Sequence, residues 1–288
     1  MISDPLPHAW TFEAIGTAWR IDTAEPLAAS VRDAVGERVE RFDRDWSRFR
    51  ADSRLAPLAR GGATVRLTDD AGPLLALYRD LYSATDGRVS PLVGRSLETL
   101  GYDAAYRLAP LGDPEPAPAW DGGWESGEVS AVAPLVVDVG AAGKGYLVDL
   151  VGDVLAEHGV AEHVVDGSGD LRTRGVAMRI ALENPAEPRK AVGVAELSDG
   201  ALCASATTRR TWGDGLHHVL DAITGRPVDH WIATWAIAPT ALVADGAATA
   251  LFFEPNREFL SRQGVEFARM SRDGHVECSD RFPGEVFT

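Results

Sequence analysis

The sequence predicts an α+β fold in which mixed sheets and helices pack in layers. Two features favour this class. Segments with apolar residues at helical spacing are interspersed with short, β-branched segments, and the two kinds do not follow a regular βαβ order. A length of 288 residues, with 45% hydrophobic residues, is enough to bury a sizeable core. We expect one large domain or two intertwined lobes.

Four segments have the apolar spacing that is typical of helices. In residues 27–46 the apolar side chains recur at helical intervals, which places them on one face. The predicted helices cover residues 27–46, 71–84, 145–158 and 241–253. The predicted strands cover residues 13–23, 132–139, 163–166, 178–182, 192–197, 201–206 and 231–237.

The charge balance excludes one class of partner. A formal net charge of −15 repels a phosphate backbone, so we expect no nucleic-acid partner. Two cysteines, Cys203 and Cys278, without a CxxC pair disfavour a disulfide framework and a structural zinc site. The first eight residues lack a leader pattern, and no apolar run reaches the roughly 18–20 residues that span a bilayer. We expect a cytoplasmic protein without membrane insertion.

The densest candidate for chemistry is a strand, turn and helix start at residues 137–149. Its Gly/Ala-rich turn lets the backbone approach a ligand closely, and the helix N-terminus with Lys144 attracts phosphate. The carbonyl groups of the turn are equally suited to a metal. The alternative is a tight turn that needs small residues only for packing. A second Gly-rich turn with acidic residues, at 165–172, is interpreted on its pattern alone as a plain hairpin.

Two adjacent histidines lie in residues 215–227, before Asp221 and a Thr-Gly turn. A histidine can act as a general base near neutral pH. Since side chains alternate along a strand, at most one of His217 and His218 faces a given site. The alternative is a surface histidine pair beside a turn, and the pattern alone favours it.

On the last predicted helix, Asp245 and Thr249 are four residues apart and therefore share one face. A carboxylate and a hydroxyl placed in this way are oxygen ligands suited to Mg²⁺. In the alternative interpretation Asp245 caps the helix and Thr249 is a packed polar residue. Taken alone, the pattern favours this alternative.

Taken in order along the chain, these units resemble the ApbE family, the FAD:protein FMN transferases. The resemblance extends over residues 14–255. It implies an ApbE-like layered fold with the active site in a cleft between two lobes, and a single catalytic domain over residues 1–288. The resembling segments are 15–19, 42–53, 85–91, 138–146, 167–170, 204–206, 218–225 and 244–250.

The resemblance implies a Mg²⁺-dependent enzyme that moves FMN from FAD to a Ser or Thr hydroxyl of an acceptor flavoprotein and releases AMP. Mg²⁺ would be held by Asp245, Thr249 and a backbone carbonyl of the 138–146 turn, taken as that of Gly143. Asp245 would thereby be catalytic, and His218 would deprotonate or position the hydroxyl. The residues expected to line FAD are Ile15, Gly16, Phe49, Arg88, Val89, Ser90, Lys144, Asp149 and His218.

The chain departs from the family pattern at several positions, whereas the Asp245 and Thr249 pair is retained. Two alternative functions follow from the resemblance. One is an FAD pyrophosphatase, in which water replaces the protein hydroxyl and the products are FMN and AMP. The other is a non-catalytic or weakly active FAD-binding protein. The departures are Ser90 for Asp, Ser168 for Gly, Ala204 for Thr, Ala206 for Gly and Ala222 for Pro.

Overall fold

The computed structural model describes residues 6–122, 124 and 127–287; residues 1–5, part of the start discussed above, lie outside this range. The α-helices of the described chain are α1 (Ala29–Trp46), α2 (Gly72–Ala84), α3 (Gly94–Thr99), α4 (Gly143–Glu157), α5 (Ala241–Ala250) and α6 (Arg257–Arg262). The strands are β1 (His8–Ala14), β2 (Thr17–Thr23), β3 (Ala63–Arg66), β4 (Glu128–Ala131), β5 (His163–Asp166), β6 (Asp170–Arg174), β7 (Ala177–Glu183), β8 (Ala191–Ser198), β9 (Ala201–Ala206), β10 (Thr211–Trp212), β11 (Leu216–His217), β12 (Leu220–Asp221), β13 (Arg226–Pro227), β14 (Trp231–Ala238), β15 (Glu266–Ser271), β16 (Val276–Cys278) and β17 (Gly284–Val286).

An eight-stranded sheet organises the molecule, with the strand order β1-β2-β5-β6-β9-β14-β15-β16. Every pair of neighbours in this sheet is antiparallel across the residues that the structure describes. In its centre, Cys203 of β9 lies opposite Asp170 on one side and Ala236 on the other. The smaller sheets are β17-β8-β7, β3-β4, β10-β11 and β12-β13.

The two faces of the large sheet pack against different layers. Cys203 and Ala236 belong to a core that is shared with helices α1, α2, α4 and α5. Their neighbours Leu202 and Trp235 belong to a second core, shared with the three-stranded sheet. Successive side chains of a strand point to opposite faces, so one strand serves both cores. The predicted α+β class with layers of mixed sheets and helices is confirmed.

Helices α4 and α5 approach each other closely at Gly145. A Cβ at this position would lie 2.1 Å from the carbonyl oxygen of Ala241 and 2.5 Å from the Cβ of Asp245. The close approach lets the backbone N–H of Gly145 donate to Asp245 Oδ2 over 2.8 Å. Glycine is therefore required here because two helix backbones nearly touch.

Replacing Gly145 with Ala is expected to lower the free energy of unfolding by about 3 kcal/mol, because the added methyl group forces α4 and α5 apart. Urea unfolding followed by circular dichroism measures the change. Gly36→Ala on α1 is the matched control, since a Cβ there meets nothing within 4 Å. If Gly145→Ala had the same urea midpoint of unfolding as the wild type, α4 and α5 would separate without a loss of stability.

Most predicted elements are confirmed within a few residues, and β5 and β9 coincide with their predicted ranges. Two predictions were wrong. The single strand expected over residues 13–23 is interrupted by a hairpin turn. Residues 13–14 end β1, residues 17–23 form β2, and Ile15 and Gly16 between them adopt φ values of 45° and 74°. Residues 132–139 form no strand. Pro134 in this segment has no N–H for a ladder, and the chain instead bonds to other loops through Leu135 and Asp138.

The helix expected over 241–253 ends earlier, at Ala250, and continues as a 3₁₀ turn over Leu251–Phe253. In the part of the chain that the structure describes, no helix has both the length and the apolar character that crossing a bilayer requires.

Candidate active site

The residues predicted to hold a metal meet where α5 packs on the start of α4. Thr249 Oγ1 donates a hydrogen bond to the carbonyl oxygen of Ala141 over 3.1 Å. Asp245, one turn earlier on α5, accepts from the N–H of Gly145 over 2.8 Å. A carboxylate and a hydroxyl of α5 thus lie against the start of α4, beside a backbone carbonyl of the preceding turn. Gly143 is the first residue of α4, and its role as a metal ligand stays a prediction.

The space beside Asp245 carries an excess of negative charge. Asp170 is fully buried, and its carboxylate lies 2.5 Å from Lys144 Nζ, which also donates to the carbonyl of Gly167 over 2.9 Å. Burial, together with the charge of Asp170, raises the pKa of Asp245 well above its usual value. Burial alone would lower the pKa of Lys144, but Asp170 and Asp245 raise it overall. Two buried acids thus lie close to one half-buried cation.

Asp149, which was expected to line FAD, is engaged within the fold. Its Oδ1 accepts from the N–H of Ala241 over 2.9 Å and from Arg172 over 2.8 Å. Its Oδ2 accepts from the N–H of Leu242 over 2.8 Å. These N–H groups belong to the first turn of α5, which has no helical partner for them. The contacts favour a positioning role for Asp149, which fixes α5 and hence Asp245; a contact with FAD stays a prediction.

Three residues expected to bind flavin come together around Tyr106, a residue that the sequence analysis missed. The rings of Phe49 and Tyr106 are stacked, with centroids 5.4 Å apart and planes 15° from parallel. A Cβ at Gly16 would lie 3.8 Å from the Tyr106 hydroxyl, and Ile15 forms the other half of that turn. Tyr106 itself is 52% exposed. The group offers an exposed aromatic surface on which a planar ring can stack.

Arg48, also missed, joins this aromatic group to the turn before α4. Its Nε lies 2.5 Å from Asp138 Oδ2, and its Nη1 donates to the carbonyl of Tyr102 over 2.8 Å. The guanidinium lies 4.1 Å from the centroid of the Phe49 ring, and its Nη2 is buried without a hydrogen-bond partner. Arg48 therefore fixes Asp138 relative to the aromatic group. Its position inside the 42–53 motif was the available sequence signal.

Arg88 connects two of the segments that carry the family resemblance. Its guanidinium forms an ion pair with Asp221, and its carbonyl accepts from the N–H of Ala222 over 3.0 Å. The family pattern has proline where this chain has Ala222. Proline has no N–H, so this departure gives the chain a hydrogen bond that the pattern lacks.

Val89 and Ser90 are both buried in the turn that follows α2. The N–H of Val89 donates to Thr85 Oγ1 over 3.0 Å, and Ser90 Oγ accepts from the N–H of Leu92 over 3.2 Å. The next residue, Pro91, accepts from the N–H of Asp138 over 2.8 Å. The turn after α2 therefore lies against the turn that precedes α4. The contact of Val89 and Ser90 with FAD stays a prediction.

The two histidines have different surroundings, since His217 ends β11 and His218 lies in the bend that follows it. His217 is buried and uses both ring nitrogens, one on the carbonyl of Val228 at 2.9 Å and one on the N–H of Val219 at 3.3 Å. The Nδ1 atom of His218 is buried without a hydrogen-bond partner. Burial lowers the pKa of His218 to about 3, and the charge of Arg210 adds to this effect. His218 is thus a neutral imidazole with a free nitrogen.

Known proteins resemble this chain in sequence and in fold. The ApbE family profile matches residues 15–272. An FAD:protein FMN transferase of Salmonella typhimurium is 24% identical over 94% of this chain and 86% of its own length, and one of Klebsiella pneumoniae is 25% identical over 91% and 83%.

Two solved structures share the fold. The flavin transferase ApbE from Vibrio cholerae has a TM-score of 0.78 at 21% identity, covering 96% of this chain and 97% of the other. The ApbE protein from Thermotoga maritima has a TM-score of 0.80 at 21% identity, covering 96% and 99%. Because the family profile matches most of the sequence and the segments that carry it surround one site, the chain belongs to the ApbE family.

Proposed function

We propose that this chain is a Mg²⁺-dependent FAD:protein FMN transferase, which moves FMN from FAD to a Ser or Thr hydroxyl of an acceptor flavoprotein and releases AMP. The observation that carries the proposal is the convergence of Asp245, Thr249 and the carbonyl of Ala141. Membership of the ApbE family and the two relatives, both FAD:protein FMN transferases, support the same activity.

The chemistry of these groups fits Mg²⁺. Among the described residues, no group of three or more His, Cys, Asp and Glu side chains forms a metal cluster, which disfavours a zinc-type site. One carboxylate with a hydroxyl and a carbonyl is a set of hard oxygen donors that leaves room for water and phosphate. The buried negative charge of Asp245 and Asp170 also favours a cation here.

In this proposal Asp245, Thr249 and the Ala141 carbonyl hold the ion; Gly143, the carbonyl chosen from sequence, lies two residues further on. When bound, Mg²⁺ would supply positive charge that neutralises the FAD diphosphate. Asp149 keeps α5 in place through its bonds to Ala241 and Leu242. Lys144 balances the charge of Asp170 rather than contacting phosphate directly.

The remaining residues bind and orient the two reactants. The exposed ring of Tyr106, stacked on the half-buried Phe49 and close to the Ile15-Gly16 turn, offers a stacking surface for the flavin. His218 accepts the proton of the acceptor hydroxyl on its unpartnered Nδ1. The hydroxyl oxygen then bonds to the FMN phosphorus, the anhydride bond breaks, and AMP leaves with the electron pair.

Addition of Mg²⁺ at about 100 times its dissociation constant is expected to stabilise the protein by about 2.7 kcal/mol. In a protein of this size the melting temperature rises by roughly 5 °C. Differential scanning fluorimetry measures the shift, with NaCl of equal ionic strength as the control. A shift of the same size in Asp245→Asn would mean that the ion binds elsewhere.

AMP release separates the proposed reaction from its two alternatives. With FAD, Mg²⁺ and an acceptor flavoprotein, we expect AMP and an FMN adduct in equal amounts, and little AMP without the acceptor. Steady release of FMN and AMP without an acceptor would instead identify an FAD pyrophosphatase. Tight FAD binding without AMP release, whether or not the acceptor is present, would identify an FAD-binding protein without turnover.

A further inference from the structure

Arg210 is an exposed cation at the end of the loop between β9 and β10, and the proposed mechanism has not yet used it. Its Nη1 donates to the hydroxyl of Tyr102 over 3.1 Å. Within the described residues, no carboxylate lies at ion-pair distance from Arg210, although the net charge of the chain is −15. Its neighbour Arg209, in contrast, pairs with Glu183 at 3.1 Å.

The hydroxyl that holds Arg210 belongs to a fixed ring. Tyr102 is buried and stacks on Trp212 with ring centroids 5.4 Å apart. Trp212 is held in turn by a hydrogen bond from its Nε1 to the carbonyl of Leu100, over 2.8 Å. The Phe49 ring packs edge-on against Tyr102, also at 5.4 Å. One hydrogen bond to a rigid partner orients the guanidinium and leaves other N–H donors for a ligand.

Arg210 lies beside His218 in the candidate active site. Burial is the main cause of the lowered pKa of His218, and Arg210 adds to it. The backbone of Arg210 also contacts the His218 imidazole, so the two residues lie side by side. Lys144 is already paired with Asp170, so Arg210 is the better placed of the two cations for an incoming anion.

We propose that Arg210 binds the phosphoryl group transferred between FAD and the acceptor, and stabilises the charge on its non-bridging oxygens. A guanidinium presents two parallel N–H donors to a phosphate group, which an ammonium cannot do. The new P–O bond forms to the acceptor oxygen, the P–O bond to AMP breaks, and the hydroxyl proton passes to His218. This inference rests on the proposed function, and it adds a cation beside His218 to the residues that handle the transferred group.

Three variants test the inference: Arg210→Gln, Arg210→Lys and the control Arg209→Gln. Steady-state AMP release gives kcat/KM for FAD, and calorimetric titration with Mg²⁺ and inorganic pyrophosphate gives an affinity that does not depend on turnover. For Arg210→Gln we expect kcat/KM to fall about 100-fold and the pyrophosphate Kd to rise about tenfold. Arg210→Lys recovers part of both losses, and Arg209→Gln behaves like the wild type.

The two readouts separate failure of this inference from failure of the proposed function. Arg210→Gln within about twofold of the wild type in both measurements would overturn the role of Arg210 while the transferase proposal stands. If the wild type releases no AMP but loses pyrophosphate affinity through Arg210→Gln, the anion site stands and the transferase proposal fails. Absence of pyrophosphate binding in the wild type overturns the inference.

Discussion

Replacing Asp245 with Asn is expected to slow FMN transfer at least about 1,000-fold, a loss of about 4 kcal/mol of transition-state stabilisation. Asn retains an oxygen for the Gly145 N–H, which Asp245 now accepts over 2.8 Å, and removes the charge that binds the ion. AMP release and adduct formation measure the loss. Asp153→Asn, which removes an exposed carboxylate from α4, is the matched control and keeps full activity.

The same variant is expected to remain folded, and its stability has a defined pH dependence. Burial and Asp170 raise the pKa of Asp245 above its usual 3.8. An acid with a raised folded-state pKa stabilises the fold below its unfolded-state pKa and loses this effect as the pH rises through the folded-state value. Metal-free wild type therefore loses stability above about pH 4 through this group, whereas Asp245→Asn does not. Transfer by Asp245→Asn at the wild-type rate would remove the metal site from the mechanism.

Replacing His218 with Gln is expected to lower kcat about 100- to 1,000-fold, because the variant lacks the nitrogen that takes the hydroxyl proton. FAD affinity, measured by quenching of flavin fluorescence, is expected to change by less than about fivefold. The variant loses only the hydrogen bond to the acceptor hydroxyl, whereas the aromatic surface for the flavin is unchanged. His158→Gln, at an exposed position after α4, is the control. A fall in FAD affinity with unchanged kcat would make His218 a binding residue only.

The pH profile of kcat/KM gives an independent check on His218. Burial and Arg210 lower its pKa to about 3, so in the free enzyme the imidazole stays neutral from about pH 5 upward. We therefore expect no acid limb near pH 6.5. A limb at that pH that disappears in His218→Gln would show that the ring is solvated in the working enzyme.

Side chains within one helix were predictable from spacing. Asp245 and Thr249 share a face because they are four residues apart on α5, and both contact the start of α4. For this pair local geometry decides the direction of the side chain, so the sequence contains the information. His217 and His218 differ in surroundings as expected, but His218 lies in a bend after β11, so the alternation of side chains along a strand is not the reason.

Contacts between distant segments were not predictable in this way. Which carbonyl of the 138–146 turn meets Thr249 depends on backbone torsions, so Ala141 was not separated from Gly143. Asp149 follows the motif closely, yet its partners Ala241 and Leu242 are more than 90 residues away. Arg210 lies in a loop without periodicity, so the sequence did not single it out. Only the fold brings it to the Tyr102 hydroxyl.

The most direct test of a metal held by Asp245 at the FAD diphosphate is mass spectrometry of an acceptor protein. The acceptor flavoprotein of one of the named relatives is incubated with this chain, FAD and Mg²⁺. We expect the acceptor to gain the mass of FMN less one water on a Ser or Thr, with one AMP released per adduct. Neither product should form when Mg²⁺ is removed or Asp245→Asn replaces the wild type. An adduct that forms equally well under both conditions would contradict a metal held by Asp245 at the FAD diphosphate.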